Sequence, residues 1–553
     1  MIRLLVISLI ALSISISNFA QSQKYWVRLA DKDNVRFNPH SYFDVKAINR
    51  RIKHNIPLVE FSDLPIREDY YNVIAKKSDS ITGKSRWFNA ISCWLTVEQL
   101  SEVKELSFVK EVVPMSGIQE FTELNSDFNK LNKGEVDLLN SQIESLEGNL
   151  FDSLYTGKGM RICIIDAGFP QVNTSKLFKH IRNNNRIIKT WDFKKNKPEV
   201  YKYNSHGSTV LSCIAGIYDG RKIGMATDAE FLLARTERIA YEGVAEEEDW
   251  LEAVEWADKN GADIINSSLG YTHASHFIED MDGNKTIITR AANLAARKGI
   301  LVVNAAGNEG RSDWKYVAAP GDADSALTVG GINPWTGLHT AFSSYGPNAS
   351  HHLKPNVSAY GHTMGFNTFS QLGEVTGTSF ASPLVAGFAA CVWQADSSLT
   401  NMQLFKEIER SASLYPYFDY ATGYGMPKAS CFMDPLKEEE KNITFEIDTT
   451  DDVQFIIRID EDYFKESRVV MPIKSPKRAK FFHLNDHYNT QASNIPLRDP
   501  NVLYFHVENE RGYLDEYQVI AVNQREVLKL FYDQYKGKTL RFSYLGFVKE
   551  LKL

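Results

Sequence analysis

Five cysteines among 553 residues, at positions 93, 163, 213, 391 and 431, are too few and too scattered for a disulfide framework, and their spacing matches no zinc site. An odd number leaves at least one thiol unpaired. Cys163, Cys213 and Cys391 stand among Ile, Val and Ala, where a free cysteine acts as a small buried hydrophobe. Positive charge is also not in excess. Lys and Arg number 62 against 69 Asp and Glu, a formal net charge of −7, so no overall basic field favours nucleic acid or an anionic membrane surface. Beyond the first twenty residues no stretch is long and apolar enough to span a bilayer. Internal repeats and low-complexity tracts are lacking too. Charged residues at 24% and aromatics at 12% exclude a disordered or fibrous chain, and the length predicts several folded domains.

The one long apolar run lies at the start. Arg3 precedes Leu4 to Ile16, and Ser17, Asn18, Phe19 and Ala20 follow, which is the pattern of a secretory signal peptide over residues 1–20 with cleavage after Ala20. The run is too short and too rich in serine for a transmembrane anchor. Export to the cell envelope or the medium is therefore expected.

Residues 21–115 read as a small α+β domain. Strands are expected at Tyr25–Leu29, Phe88–Leu95 and Phe108–Val113, and helices at Ser41–Lys53 and Val97–Leu106. Residues 116–148 are polar and read as a connector with at most a short helix. Over residues 149–436, short β-branched runs alternate with helical segments, the signature of a parallel sheet covered on both faces. The runs are Arg161–Asp166, Glu230–Ala234, Asp263–Ser267, Ile300–Asn304 and Leu327–Val329. Trp250, Ala253, Val254 and Ala257 share one helical face that stops at Gly261. Ile287, Ala291, Leu294 and Ala295 share another that stops at Gly299. The charged run Lys437–Lys441 then leads to an all-β domain, residues 437–553, marked by alternation at Val453, Phe455, Ile457 and Ile459 and at Leu540, Phe542 and Tyr544. The basic stretch Lys474–Lys480 is expected to be a solvated loop.

Four segments of the central region carry chemistry. In Gly377–Pro383 (GTSFASP), Ser379 stands where a glycine-containing loop enters a helix of small residues, whose positive end would face a reaction centre. Taken alone, it could be a capping serine. His206 precedes a second small-residue helix and suits a general base, although a lone histidine is more often structural. Asp166 ends the run Ile162–Ile165, at the carboxyl edge of a central strand where ligands bind in open α/β sheets. Asn308 closes Val302–Asn308 (VVNAAGN) and could aim an amide N–H at a developing oxyanion, or simply occupy a left-handed turn.

Together, in the order Asp, His, Ser, these segments resemble the subtilisin-like serine proteases (peptidase S8). The resemblance implies a subtilisin-like parallel sheet and a serine endopeptidase acting on protein or peptide substrates through an acyl-enzyme. By the same resemblance Ser379 is the nucleophile, His206 the general base and then acid, Asp166 its orienting carboxylate, and Asn308 an oxyanion donor beside the Ser379 backbone N–H. Ser268, Leu269 and Gly270, with Ala305, Ala306 and Gly307, resemble the walls of the primary specificity pocket, and Ala318 its floor; a small uncharged floor favours apolar or aromatic side chains before the scissile bond. Three positions depart from the family pattern: Ala167 follows Asp166, Thr209 replaces a second histidine, and Leu384 stands where histidine is frequent. The first domain resembles the inhibitory propeptide of such enzymes, which implies a zymogen cut between Met115 and Gly148; the alternative is a permanent accessory domain. No cofactor is required for the chemistry, and a structural calcium, common in the family, finds no identifying spacing around Asp322 and Asp324. Asn348 and Asn442 open Asn-X-Ser/Thr sequons. A decayed protease serving as an exported binding protein would be expected to have lost one of the four catalytic groups, and all four are present.

Overall fold

The computed structural model describes residues 22–115, 133–151, 153–237, 244–272, 276–369, 371–433, 442–450, 454–463, 502–522 and 526–553. The expected signal segment, the charge run 437–441 and the basic stretch 474–480 lie outside them. The chain divides into two compact units, one of residues 1–38 and 59–116 and one of residues 39–58 and 117–553.

The first unit is an antiparallel sheet in the order Ser80–Ser85, Ala90–Leu95, Gln23–Leu29, Val109–Pro114, with helices Glu68–Lys77 and Val97–Lys104 packed on it. Val27, Ile74, Ile91, Leu95 and Val103 close its core. A capping box starts the second helix: Thr96 Oγ1 accepts from Gln99 N at 3.3 Å and Gln99 Oε1 from Thr96 N at 2.8 Å. The strand Ser80–Ser85 was hidden in the sequence, since its only large apolar residue is Ile81 and a register shift falls between Ile81 and Gly83. Its pairing with Ala90–Leu95, rather than its own pattern, makes it a strand.

The second unit is built on a seven-stranded parallel sheet. Its order is Val357–Tyr360, Ala326–Ile332, Leu301–Ala305, Ile264–Ser267, Arg161–Asp166, Glu230–Arg235, Ile187–Asp192. Ile162 to Ile165 and Ile264 to Ser267 are fully buried, as strands covered on both faces require. The strand order reverses between Arg161–Asp166 and Ile264–Ser267, which places a crevice outside their carboxyl ends. Trp250, Ala253, Val254 and Ala257 lie buried on the helix Val244–Lys259, and Ala291, Leu294 and Ala295 on Ile287–Arg297; the left-handed glycines Gly261 (φ 73°) and Gly299 (φ 85°) follow these two helices. The helix Thr378–Ala395 crosses the four strands from Ile264–Ser267 to Val357–Tyr360, buried for most of its length.

Within the expected connector, the helix Lys133–Glu144 is twelve residues long and more than a short turn. Leu138, Leu139, Ile143 and Leu146 enter the main core, and the buried Gln142 side chain meets the backbone of Ile223 and Met364. The polarity of its exposed face hid this helix. The expected helix Ser41–Lys53 is instead two, Pro39–Tyr42 and Val45–Lys53, divided at Asp44, whose carboxylate caps the second.

The C-terminal part holds two antiparallel sheets, Phe445–Thr450, Gln454–Ile459 and Glu526–Phe531 in one, and Leu514–Ala521, Val502–Glu508, Thr539–Tyr544 and Phe547–Lys552 in the other. Phe455, Ile457, Ile459, Leu540, Phe542 and Tyr544 fill the space between them. All five cysteines are free, and only Cys431 is exposed. Burial pushes the Cys213 and Cys391 thiols up to about 12, which keeps them protonated. Among the described residues no helix is long and apolar enough to cross a membrane.

Candidate active site

Asp166, at the carboxyl end of its strand, is fully buried. Its Oδ1 accepts from the Ala167 N–H at 2.8 Å, and both carboxylate oxygens face His206 Nδ1, at 2.9 and 3.1 Å. The pairing puts the Nδ1 proton on the Asp166 side and leaves Nε2 as the acceptor. Burial acts to lower the His206 pKa, but the Asp166 charge and hydrogen bond outweigh it and hold the imidazole above its ordinary 6.5. His206 opens the helix His206–Ala215, and Asn204 Oδ1 accepts its backbone N–H at 2.8 Å. Gly207 lets this helix end approach the strand: a β-carbon there would lie 2.5 Å from Gly168 O and 3.0 Å from Asp166 Cβ.

The three positions that depart from the resemblance are each engaged in the fold. The Ala167 carbonyl, in the turn after Asp166, accepts from Arg235 Nε at 3.1 Å, and Arg235 is itself paired with Asp192 and stacked on Tyr203. Thr209 Oγ1 donates to Phe366 O at 2.9 Å, and Leu384 is buried in the main core.

Ser379 is the second residue of the helix Thr378–Ala395. Its Oγ donates to Ser268 O at 3.2 Å. Phe380 packs beside the imidazole, with ring centroids 5.4 Å apart. Pro383 lies in the second turn of the helix. It cannot give the Ser379 carbonyl its i+4 donor. Ser268 Oγ supplies it, at 2.8 Å. Ser382 Oγ donates to Asn266 Oδ1 at 2.9 Å, and Asn266 Nδ2 to Ser268 Oγ at 3.1 Å, so the replacement donor is itself held by a buried chain of hydrogen bonds.

Asn308 is oriented by Thr378, a residue that sequence reasoning missed. Both the N–H and the Oγ1 of Thr378 donate to Asn308 Oδ1, each at 3.0 Å, which leaves Nδ2 as the free donor. A β-carbon at Gly377 (φ 146°) would stand 3.7 Å from both Asn308 Nδ2 and Ser379 N, in ordinary contact with each. The two donors therefore flank one spot before the helix.

Ala318 lies between the two expected pocket walls. A β-carbon at Gly270 would meet only Ala318 Cβ, at 3.1 Å, while one at Gly307 would stand 3.8 Å from Ala318 Cβ and 2.8 Å from Ser344 Oγ. Ser344, fully buried, accepts from Glu309 N at 3.0 Å through its Oγ. Asp322 accepts from Gly283 N and Thr289 Oγ1, and Asp324 pairs with His352. Among the described residues no group of three or more His, Cys, Asp or Glu is arranged to hold a metal. Asn348 is buried, its Nδ2 given to Asp322 O.

The subtilase family profile matches residues 157–425, and the peptidase S8 propeptide domain of Bacteroidota matches residues 24–130. The chain carries a subtilase domain. Its curated relatives are subtilisin-like proteases. The thermostable alkaline protease of Halalkalibacterium halodurans is 29% identical over 259 residues, 46% of this chain and 63% of that one. Subtilisin BL of Lederbergia lenta is 29% identical over 47% of this chain and 85% of its own, and subtilisin NAT of Bacillus subtilis subsp. natto 27% identical over 62% and 80%. Among solved structures, the proteases from Pseudoalteromonas arctica PAMC 21717 overlap 54% of this chain and 98% of that chain, at 19% identity and a TM-score of 0.43. The subtilase domain thus spans the sheet and all four segments, and the propeptide domain covers the first compact unit.

Proposed function

We propose that the protein is an exported serine endopeptidase made as a zymogen, with Asp166, His206 and Ser379 as its catalytic triad. The observation that carries this reading is the buried Asp166 held at 2.9 Å from His206 Nδ1, beside a serine at a helix N-terminus and an asparagine amide tied to leave its N–H free. Rotation of the Ser379 side chain from the Ser268 carbonyl brings Oγ to His206 Nε2. Oγ attacks the substrate carbonyl as Nε2 takes its proton, and the oxyanion is received by Asn308 Nδ2 and the Ser379 N–H. His206 then gives the proton to the leaving amine, and water, activated the same way, hydrolyses the acyl-enzyme. Every proton in these steps is carried by the protein's own groups and water.

Gly270, Gly307 and Ala318 form the pocket for the side chain before the scissile bond, small and uncharged enough to take an apolar or aromatic group. The propeptide domain acts as an intramolecular inhibitor until the connector is cut between Met115 and Gly148; residues 116–132 of that connector lie outside the described residues. The signal segment directs export.

The test is expression of the chain from Gln21 beside its Ser379→Ala variant. The parent is expected to trim itself within the connector, digest an unstructured protein and take up a serine-directed covalent inhibitor, while the variant stays intact. A folded parent that neither digests the substrate nor takes up the inhibitor, even after the connector is nicked by another protease, overturns the reading.

A further inference from the structure

Residues 39–58 lie in the sequence inside the propeptide domain yet pack within the second unit. Their contacts are charged and buried. The helices Val244–Lys259 and Ile287–Arg297 end side by side at the amino-terminal edge of the sheet, where the strands Ile264–Ser267 and Leu301–Ala305 begin. This edge is opposite the carboxyl ends that hold Asp166 and Ser267. Helix C-termini present unpaired carbonyls and the negative end of the helix dipole, and so accept cations. Arg50 spans both. Its Nε donates to Lys298 O at 3.0 Å, and its two terminal nitrogens reach Ala262 O and the Asp258 carboxylate. The adjacent Arg51 donates to the other oxygen of Asp258 at 2.8 Å. Both guanidinium groups and Asp258 are at most 2% exposed.

The rest of the segment completes the contact. Lys46 Nζ bonds Gly159 O at 2.6 Å and Asp263 at 2.8 Å, Asp44 N donates to Lys259 O at 2.8 Å, and the Asp44 carboxylate pairs with Arg161 at 3.2 Å. The left-handed glycines of the two helix ends permit this approach: a β-carbon at Gly261 would lie 2.8 Å from Lys46 Cβ, and one at Gly299 3.1 Å from Ile56 Cδ1.

The geometry points to a latch: the amino-terminal edge of the catalytic sheet is a docking site for a short helix bearing two adjacent arginines, and Val45–Lys53 occupies it. This inference rests on the zymogen reading and deepens it. Because residues 39–58 are joined at both ends to the first unit, cutting the connector does not free that unit. It remains held through Arg50 and Arg51, far from the triad, until the segment itself is cut or displaced. A buried ion pair of this kind is little screened by salt, so raised ionic strength alone does not open it.

The test uses the full chain from Gln21 carrying Ser379→Ala, with a cleavage sequence for an unrelated site-specific protease placed within residues 117–132. After cutting, the N-terminal fragment is expected to co-elute with the catalytic unit in size-exclusion chromatography, at low and at high salt. Arg50→Ala with Arg51→Ala is expected to weaken its retention by about 100-fold or more, since breaking one side of a buried charge pair leaves the other uncompensated. A fragment that leaves the parent on cutting, or a double variant that holds it within about 3-fold of the parent, overturns the latch. Should the double variant not fold, hydrogen exchange on the uncut parent decides: protected amides across Val45–Lys53 support the docked helix, and exchange at the rate of an unfolded peptide overturns it. These readouts are made on a chain without its proposed nucleophile, so a failure of the protease reading appears separately, in the hydrolysis assay of the Ser379 enzyme.

Discussion

Ser268 and Ser379 exchange two hydrogen bonds: Ser268 Oγ donates to the Ser379 carbonyl at 2.8 Å, and Ser379 Oγ donates to the Ser268 carbonyl at 3.2 Å. The first bond exists because Pro383 has no N–H to close the helix onto Ser379. The second ties the Ser379 hydroxyl to the Ser268 carbonyl.

Ser268→Ala should therefore orphan the buried Ser379 carbonyl, at about 1–3 kcal/mol of stability. Urea unfolding in the Ser379→Ala background measures this without self-digestion. Adding Pro383→Ala restores an in-helix donor and should recover part of the loss, while Pro383→Ala alone should not stabilise by the same amount. Additive effects of the two substitutions would show that the proline and the serine are not coupled.

Asn308→Ala should lower kcat by about 10²–10³-fold with KM little changed, the magnitude known for removal of this oxyanion donor in subtilisin. Thr378→Val keeps the backbone bond to Asn308 and loses only the hydroxyl, so a smaller fall, about 2–10-fold in kcat, is expected. Steady-state kinetics on a peptide substrate separates the two, and an equal loss in both would refute the positioning role of Thr378.

The imidazole of His206 must be neutral to act as base. With its pKa held above 6.5 by Asp166, the acid limb of kcat/KM should lie above the pH of a free histidine's titration. Asp166→Asn should lower kcat by about 10⁴-fold, as in subtilisin, and move the residual limb to lower pH. The same shift acts on stability in the opposite sense: a raised histidine pKa stabilises the folded state fully below the unfolded value and loses that contribution as pH rises through the folded one. Thermal melts of Ser379→Ala and Asp166→Asn/Ser379→Ala across pH 5 to 9 read it.

Gly270→Ala adds a methyl group 3.1 Å from Ala318, in otherwise open space. Discrimination should move by about 10-fold or more against aromatic and toward small side chains before the scissile bond. A panel of peptides differing at that one position gives the ratio, and an unchanged ratio would place the pocket elsewhere.

Gln142 bonds the backbone of Ile223 and of Met364 from the helix Lys133–Glu144. Gln142→Leu should cost about 3 kcal/mol or more by stranding these buried groups. Maturation should accordingly leave the mature N-terminus before Leu138, which N-terminal sequencing of the trimmed enzyme reads directly.

The local sequence determined the parallel sheet and the composition of the four chemistry-bearing segments. Runs such as Ile162–Ile165, helices closed by Gly261 and Gly299, and GTSFASP are local patterns, and local backbone preference and burial suffice to express them. The strand Ser80–Ser85 was obscured because its own apolar pattern is weak and only pairing with the neighbouring Ala90–Leu95 makes it a strand, and the helix Lys133–Glu144 because the groups its buried face meets come from distant parts of the chain. Only the tertiary structure decided that Thr378 fixes the Asn308 amide, that Ser268 replaces the donor missing at Pro383, and that Arg50 caps two helices more than 200 residues away in sequence. These are hydrogen bonds to backbone groups left unpaired at helix ends or by a proline. Which side chain satisfies such a group depends on what folding brings within 3 Å of it, and no spacing along the chain encodes that distance.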